Sequence, residues 1–322
     1  MTVTVGRLLV ARVSGIHRCG SIWACALCAP VVRQGRAREI DLAAGRVLAA
    51  GGSALLVTYT GPHRKGEPLR PLFDATARFG ELVFRGAKAQ KLKQELGWLG
   101  LIRALEVTYG RPPFDHGWHP HGHALLLFDR KLSPDQIARL RTFIFLRWEG
   151  ALMKRGFPRL HPVRGVDARP VVDTAGLAEY VTTVEDGWGV GLELARADLK
   201  HRGLTPMELL GNWALGGDLE ARALWQEYEL ATFNRNCIQW TPGLRARLLP
   251  EQFERTDEQL AIAEGEDEVL VMIQVGAQQW NLWVRAGQVG RCLAEMEQVA
   301  ALFMLLAGQL GGASRKEQVR VR

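Results

Sequence analysis

His119, His121 and His123 alternate in the stretch Trp118-His119-Pro120-His121-Gly122-His123, and an apolar run from Ala124 to Phe128 follows at once. In a β-strand, side chains two apart share a face. The three imidazoles then point the same way, and Leu125 and Leu127 continue their face into a core. Neutral imidazole is a good ligand for divalent metals, and imidazoles on one strand can converge on an ion without a loop folding around it. His121 and His123, nearest the buried end, are the expected ligands. His119 is expected to support them or to contact a phosphate. The plainer alternative is structural histidines, but three of the chain's eight histidines fall within these five positions.

A carboxylate lies within reach of the same strand. Leu101 to Tyr109 (LIRALEVTY) reads as a strand, and the loop Gly110 to Gly117 leads back into the histidines, so the two segments are predicted to form an antiparallel hairpin. Glu106 sits in the middle of that partner strand. A glutamate there is costly unless it is solvated, paired or bound to metal. As a ligand it completes a two-histidine, one-carboxylate set that leaves coordination positions open for substrate oxygens. A surface-facing strand glutamate is the alternative.

A second constellation lies near the start, in His17-Arg18-Cys19-Gly20-Ser21-Ile22-Trp23-Ala24-Cys25-Ala26-Leu27-Cys28. Cys25 and Cys28 have the spacing of a structural zinc knuckle. Cys19 can supply a third thiolate and His17 is the nearest fourth ligand. The standard second CxxC pair is missing, so three reduced cysteines around a packed Trp23 remain the alternative. With Cys237 and Cys292 the chain has five cysteines, which suits metal binding in a reducing compartment better than a disulfide framework.

The elements that must position these residues follow from pattern. Residues 1–16 alternate weakly, as a short strand would. Residues 30–50 read as a helix with Pro30 in its first turn and Arg33, Arg36 and Arg38 on a basic side, a face for nucleic acid or simply for solvent. Ser53 to Thr60 (SALLVTYT) is a β-rich run. Residues 72–96 read as helical. Ser133-Pro134-Asp135-Gln136 opens a further helix with a capping box and a first-turn proline. Residues 159–172 look extended. The next helix carries Leu177, Tyr180, Val181 and Val184 as one stripe, and on periodicity alone Tyr180 is a core residue. Residues 191–249 read as mainly helical, 252–266 as an acidic linker, 268–275 and 279–285 as strands, and 292–306 as a helix.

Length and charge bound the rest. The 322 residues, 47% hydrophobic, allow one large domain or two smaller ones. A net charge of +7 suits a polyanionic partner. No basic stretch followed by an apolar run opens the chain, so no secretory leader is expected. The apolar run Val299 to Ala307 is too short to span a membrane. A cytoplasmic protein without membrane partners is expected. The expected organisation is a Cys-rich segment and basic helix over 1–50, a central domain over 51–200, a helical DNA-binding or support region over 201–250, and an α+β appendage with a basic tail over 251–322.

Taken together, these motifs resemble the plasmid rolling-circle replication initiators of the HUH endonuclease superfamily, especially the group found in actinobacterial plasmids. The resemblance covers most of the chain. It rests on CGSIWACALC, LLVTYT at 55–60, ALEVTYG at 104–110, WHPHGHALLLF, AEYVTT at 178–183, TPMELL at 205–210 and LWQEY at 224–228. It implies an α+β fold with a central antiparallel sheet and flanking helices. It implies a Mg²⁺ or Mn²⁺ site at His121, His123 and Glu106, and Tyr180 as the nucleophile that forms a 5′-phosphotyrosyl bond with origin DNA, single-stranded at the nick. A host helicase and DNA polymerase are implied as partners, with structural Zn²⁺ in the cysteine segment.

Three positions depart from the family pattern. Thr183 stands where a lysine usually follows the tyrosine by three residues; Arg164, Arg169 or Lys200 could replace it only if the fold brings one near. Gly176 stands where some relatives carry a water-activating glutamate. Gly122 replaces the usual bulky apolar residue between the paired histidines. These departures keep open a DNA-binding regulator that does not cut, and an HUH transposase or relaxase is a third possibility.

Overall fold

The structure is a computed structural model. It describes residues 2–6, 11–14, 19–25, 28–110, 115–171, 203–250, 253, 255–262 and 269–274, with scattered positions between 278 and 298. In chain order, β1 (Thr2–Gly6) and β2 (Ala11–Ser14) precede α1 (Cys28–Ala49) and β3 (Ser53–Thr60). The short helices α2 (Leu69–Ala77), α3 (Phe79–Val83) and α4 (Ala87–Leu96) lead to β4 (Trp98–Gly110) and β5 (Trp118–Phe128). Then come α5 (Pro134–Met153), β6 (Val166–Val171), β7 (Gly203–Leu204), α6 (Pro206–Gly216) and α7 (Leu219–Thr232). The last described elements are β8 (Ile238–Trp240), α8 (Leu244–Leu248), α9 (Asp257–Ile262) and β9 (Val269–Gln274). Among the described residues, no helix is long and apolar enough to cross a membrane.

The chain divides into two units, Cys19–Ala261 and Met1–Arg18 with Ile262–Arg322. In the smaller, β1 pairs antiparallel with both β2 and β9. The strand expected over 268–275 is therefore present as β9, whereas the described positions 278–279 and 282–283 are helical where alternation predicts a strand over 279–285. The cysteine segment and α1 belong to the larger unit, while the strands that precede them pair with β9.

The larger unit is α+β, built on a curled antiparallel sheet in the order β6-β3-β5-β4-β7, with β8 also on β4. The predicted β4–β5 hairpin forms. Central β5 is buried from Pro120 to Phe128, because both of its faces are covered. Alternate residues Ala124, Leu126 and Phe128 join Leu55, Val57 and Tyr59 in a core under α2, α3 and α5. Leu125 and Leu127 face the other way, against Ile40, Ala43, Ala44 and Val47 of α1. The helix α5 begins as its sequence demands: Ser133 Oγ accepts from the Gln136 N–H, and the Gln136 side chain accepts from the Ser133 N–H. Its Trp148 is fully buried and donates from Nε1 to the Thr60 carbonyl at 2.8 Å.

Arg36 lies inside the fold. Its guanidinium donates to Asp257 at 2.7 Å and to Glu39 at 2.9 Å. Glu39 is only 2% exposed and also accepts from Arg245. Two arginines on one buried carboxylate tie α1 to α8 and α9. A buried carboxylate needs such pairing to offset its desolvation.

Gly122 follows from a close approach. A Cβ there would overlap the Tyr59 ring, which lies directly across it from β3. That ring stacks on Phe79 with centroids 3.6 Å apart, and its hydroxyl donates to the Thr76 carbonyl at 3.2 Å. The aromatic of the neighbouring strand thus fills the space that a bulky residue between the histidines would take. Gly122→Val should therefore destabilise the protein by about 3 kcal/mol through overpacking. In the Tyr59→Ala background the same change should cost much less. Equal losses in both backgrounds, read from urea unfolding, would remove the packing explanation.

Candidate metal centre

Register brings the histidines and the glutamate together. In the β4–β5 pair, Glu106 lies opposite His121, Ala104 opposite His123 and Thr108 opposite His119. Directly opposed residues share a face, so Glu106 joins the imidazoles. Its Oε2 lies 3.0 Å from His121 Nε2 and 3.6 Å from His123 Nε2. One donor atom from each of the three residues falls within 4.8 Å of the others. Ligands 2.0–2.2 Å from an ion and at right angles to each other lie about 3 Å apart. The donor set and its spacing therefore fit a divalent cation.

A third strand supports this pair. Thr58 of β3 lies opposite His123, and its Oγ1 is 3.1 Å from His123 Nδ1. In the tautomer that keeps the Nε2 lone pair, Nδ1–H donates to Thr58 and Nε2 faces Glu106. Such outer contacts fix the orientation of metal-binding imidazoles.

The electrostatics favour the ligand forms. Burial by itself would raise the Glu106 carboxyl, but His121 and then His123 hold it well below the usual carboxylate range. Burial lowers His123, opposed by its hydrogen bond to Glu106. His121 and His123 are 7% and 5% exposed, so water competes little for their ring nitrogens.

His119 stands outside the cluster. Its Nδ1 lies 3.1 Å from His63 Nε2, and His63 Nδ1 lies 3.1 Å from the Gly61 carbonyl. With His63 donating to Gly61, its Nε2 accepts from His119 Nδ1–H. That leaves the His119 Nε2 lone pair available. Burial first, then His121 and His63, pushes His119 well below its ordinary value.

The cysteines also converge. Cys19 Sγ lies 3.9 Å from Cys28 Sγ, and the donor atoms of Cys19, Cys25 and Cys28 all lie within 4.8 Å of one another. Tetrahedral zinc with Zn–S of about 2.3 Å sets sulfurs about 3.8 Å apart, so the trio fits three corners of such a site. Burial, and then Cys25, pushes the Cys28 thiol up to about 11. Trp23, in the same segment, is buried against Phe73 and Tyr228: its Nε1 donates to the Arg235 carbonyl at 2.6 Å, and its own carbonyl accepts from the Tyr228 hydroxyl at 3.2 Å.

The other expected residues divide into three groups. Tyr180, Thr183, Lys200 and His17 lie outside the described residues. Arg38 and Arg164 are exposed, and Arg33 is half-buried. Arg169 lies opposite Leu56 on the sheet face of the histidines and pairs with Asp167 at 2.7 Å.

The downstream motifs have clear structural roles. Thr205 and Glu208 of TPMELL form a capping box on α6. In LWQEY, Trp225 and Tyr228 are core residues. Glu227 accepts from Trp118 Nε1 and from the Leu69 N–H, each at 2.7 Å, tying α7 to the start of the histidine strand and to the first turn of α2. Thr58, His63 and Glu227 received no individual role from sequence. Thr58 could have been found by placing β3 beside β5; the contacts of His63 and Glu227 depend on loop and helix packing that no local pattern carries.

The chain is similar to "Protein rep" of Streptomyces lividans, with 32% identity over 297 residues, 73% of this chain and 64% of that protein. It is also similar to "Neomycin resistance protein" of Streptomyces cyanogenus, with 35% identity over 162 residues, 43% of this chain and 36% of that protein. The chain thus spans less than two thirds of the length of these curated relatives. No family model and no solved structure matches it.

The geometry around His123 sets an expectation. Thr58→Val keeps the β-branched shape but removes the oxygen on Nδ1. It should weaken Mn²⁺ binding by about tenfold while leaving the stoichiometry unchanged. Unaltered affinity in isothermal titration would mean that Thr58 does not orient the ring.

Proposed function

We propose that this chain is a plasmid rolling-circle replication initiator of the HUH endonuclease type, which nicks and rejoins single-stranded origin DNA through Tyr180. The observation that carries the reading is the cluster of Glu106, His121 and His123 on one face of a central antiparallel sheet. Similarity to Protein rep supports it. A host helicase and a DNA polymerase are the partners such an initiator requires.

His121, His123 and Glu106 would hold Mg²⁺ or Mn²⁺, which when bound supplies Lewis-acid polarisation of a phosphate oxygen. Thr58 holds the His123 ring so that Nε2 stays directed at Glu106. Burial favours the neutral, ligating form of His123. Tyr180 supplies the nucleophilic oxygen. As its bond to phosphorus forms, the bond from phosphorus to the 3′ oxygen breaks; the phenolic proton is released and the 3′ oxygen leaves as a hydroxyl. The phosphodiester energy is kept in the phosphotyrosyl ester for rejoining. Exposed Arg38 and Arg164, with Arg33, Arg169 and Lys200, are candidates for phosphate contacts that weaken with salt.

Cys19, Cys25 and Cys28, with His17, would hold a structural zinc that fixes the packing around Trp23. Metal analysis of reduced protein should find one zinc per chain, lost in Cys25→Ser together with stability. Protein that is fully folded and zinc-free would eliminate this site.

Tyr180→Phe removes one hydroxyl and retains the ring. With Mn²⁺ and labelled single-stranded segments of the parent replicon, wild type should yield a protein-linked 5′ fragment and Tyr180→Phe none, with DNA affinity nearly unchanged. An adduct mapping to Tyr59, Tyr109 or Tyr228 would contradict the assignment. Thr183→Lys should increase cleavage without a new attachment site. A second reading, binding without cutting, draws on Thr183 in place of the usual lysine. It is favoured if neither wild type nor Thr183→Lys cuts a sequence that it binds.

A further inference from the structure

A separate cleft of about 260 Å³ lies beside β4, lined by Arg103, Lys93, Arg78, Trp98, Phe84 and Gln239 among others. Arg103 and Glu106 are three residues apart on one strand, so their side chains leave opposite faces of the sheet. The cleft is therefore distinct from the candidate metal centre.

Arg103 is the unusual member. It is only 3% exposed. Its Nη2 donates to the Asn236 carbonyl and to Gln239 Oε1, each at 3.1 Å. Among the described residues, its Nε and Nη1 have no acceptor and no carboxylate bonds to it. Burial lowers its pKa from the ordinary arginine value. A buried guanidinium with only neutral acceptors and two unsatisfied donors carries a large desolvation cost, which an anion would relieve. One of the two acceptors on Nη2 is the side chain of Gln239, an exposed residue that can swing aside.

The rest of the cleft fits the same ligand. Lys93 Nζ lies 5.4 Å from the centroid of the Trp98 ring and 6.0 Å from that of Phe84, which places a second cation beside aromatic surface. Arg78 is already paired with Glu81 at 2.7 Å, so Arg103 and Lys93 provide the excess positive charge. A phosphate next to a planar ring satisfies both features: the guanidinium takes phosphate oxygens in a fork, and bases stack on aromatic side chains.

We infer that this cleft is a nucleotide-binding site in which Arg103 takes the phosphate in place of Gln239 and the base lies against Trp98. The ligand is a phosphate-bearing nucleotide, either free or as one unit of single-stranded DNA. The site uses none of the residues assigned to DNA cleavage, so it stands or falls independently of that reaction.

The decisive variant is Gln239→Glu, which supplies Arg103 with the carboxylate it lacks from an exposed position and does not disturb the core. Full-length wild type should bind dTMP in isothermal titration at one site per chain and melt at higher temperature in its presence. Gln239→Glu should melt higher than wild type without ligand and bind dTMP at least tenfold more weakly. Arg103→Met, with its fold checked by circular dichroism, should lose dTMP binding as well. Competition by oligothymidylate identifies a DNA strand as the source of the nucleotide, and its absence identifies a free nucleotide. Wild type that does not bind dTMP, or binding of equal strength in Gln239→Glu, overturns the proposal.

Discussion

The register of β4 against β5 is the constraint on which the candidate centre depends. Glu106 meets His121 only because these two residues are directly opposed. A slip of one residue would send every side chain of one strand to the opposite face, leaving a half-buried carboxylate without imidazoles. The slip is prevented by demands on both faces at once. Leu126 and Phe128 must enter the core under α2, α3 and α5, while Leu125 and Leu127 must meet α1. At the other end of β5, Glu227 holds the Trp118 indole.

The sheet is therefore specified by apolar packing, and the polar cluster is carried on it. Three neighbouring strands each contribute: β5 the imidazoles, β4 the carboxylate and β3 the hydroxyl of Thr58. The close approach of Tyr59 to Gly122 shows how tightly β3 and β5 are fitted. It also gives the glycine between the histidines a packing reason specific to this chain. Away from the cluster, Arg36, Glu39 and Arg245 brace α1, whose apolar side covers the same sheet face as the histidines. Arg36 is thus engaged in holding the fold, whereas Arg38 on the same helix remains exposed.

Much of this was legible in the sequence because it is local. Alternation placed His121 and His123 on one face, a short loop implied the hairpin, and the Ser133–Gln136 box marked the start of α5. The α+β architecture with an antiparallel sheet came from the family resemblance, with the hairpin as its one local sign. Less legible were contacts between residues far apart in sequence. The pairing of β1 with β9 joins segments from opposite ends of the chain, and neither carries a signal for the other. His63 follows β3 with no local pattern that names a partner, yet packing sets it against His119. The strand expected over 279–285 shows the limit of alternation in a short segment. Tyr180, whose role came from resemblance and not from periodicity, lies outside the described residues.

The claim at the centre of the account is that Glu106, His121 and His123 form one cation site. An anomalous-scattering map from crystals of the protein grown with Mn²⁺ tests it most directly. The account predicts a peak within about 2.2 Å of His121 Nε2, of His123 Nε2 and of a Glu106 carboxylate oxygen. Well-ordered density for these three side chains with Mn²⁺ bound elsewhere, or with Glu106 still bonded directly to an imidazole and no peak between them, would contradict it.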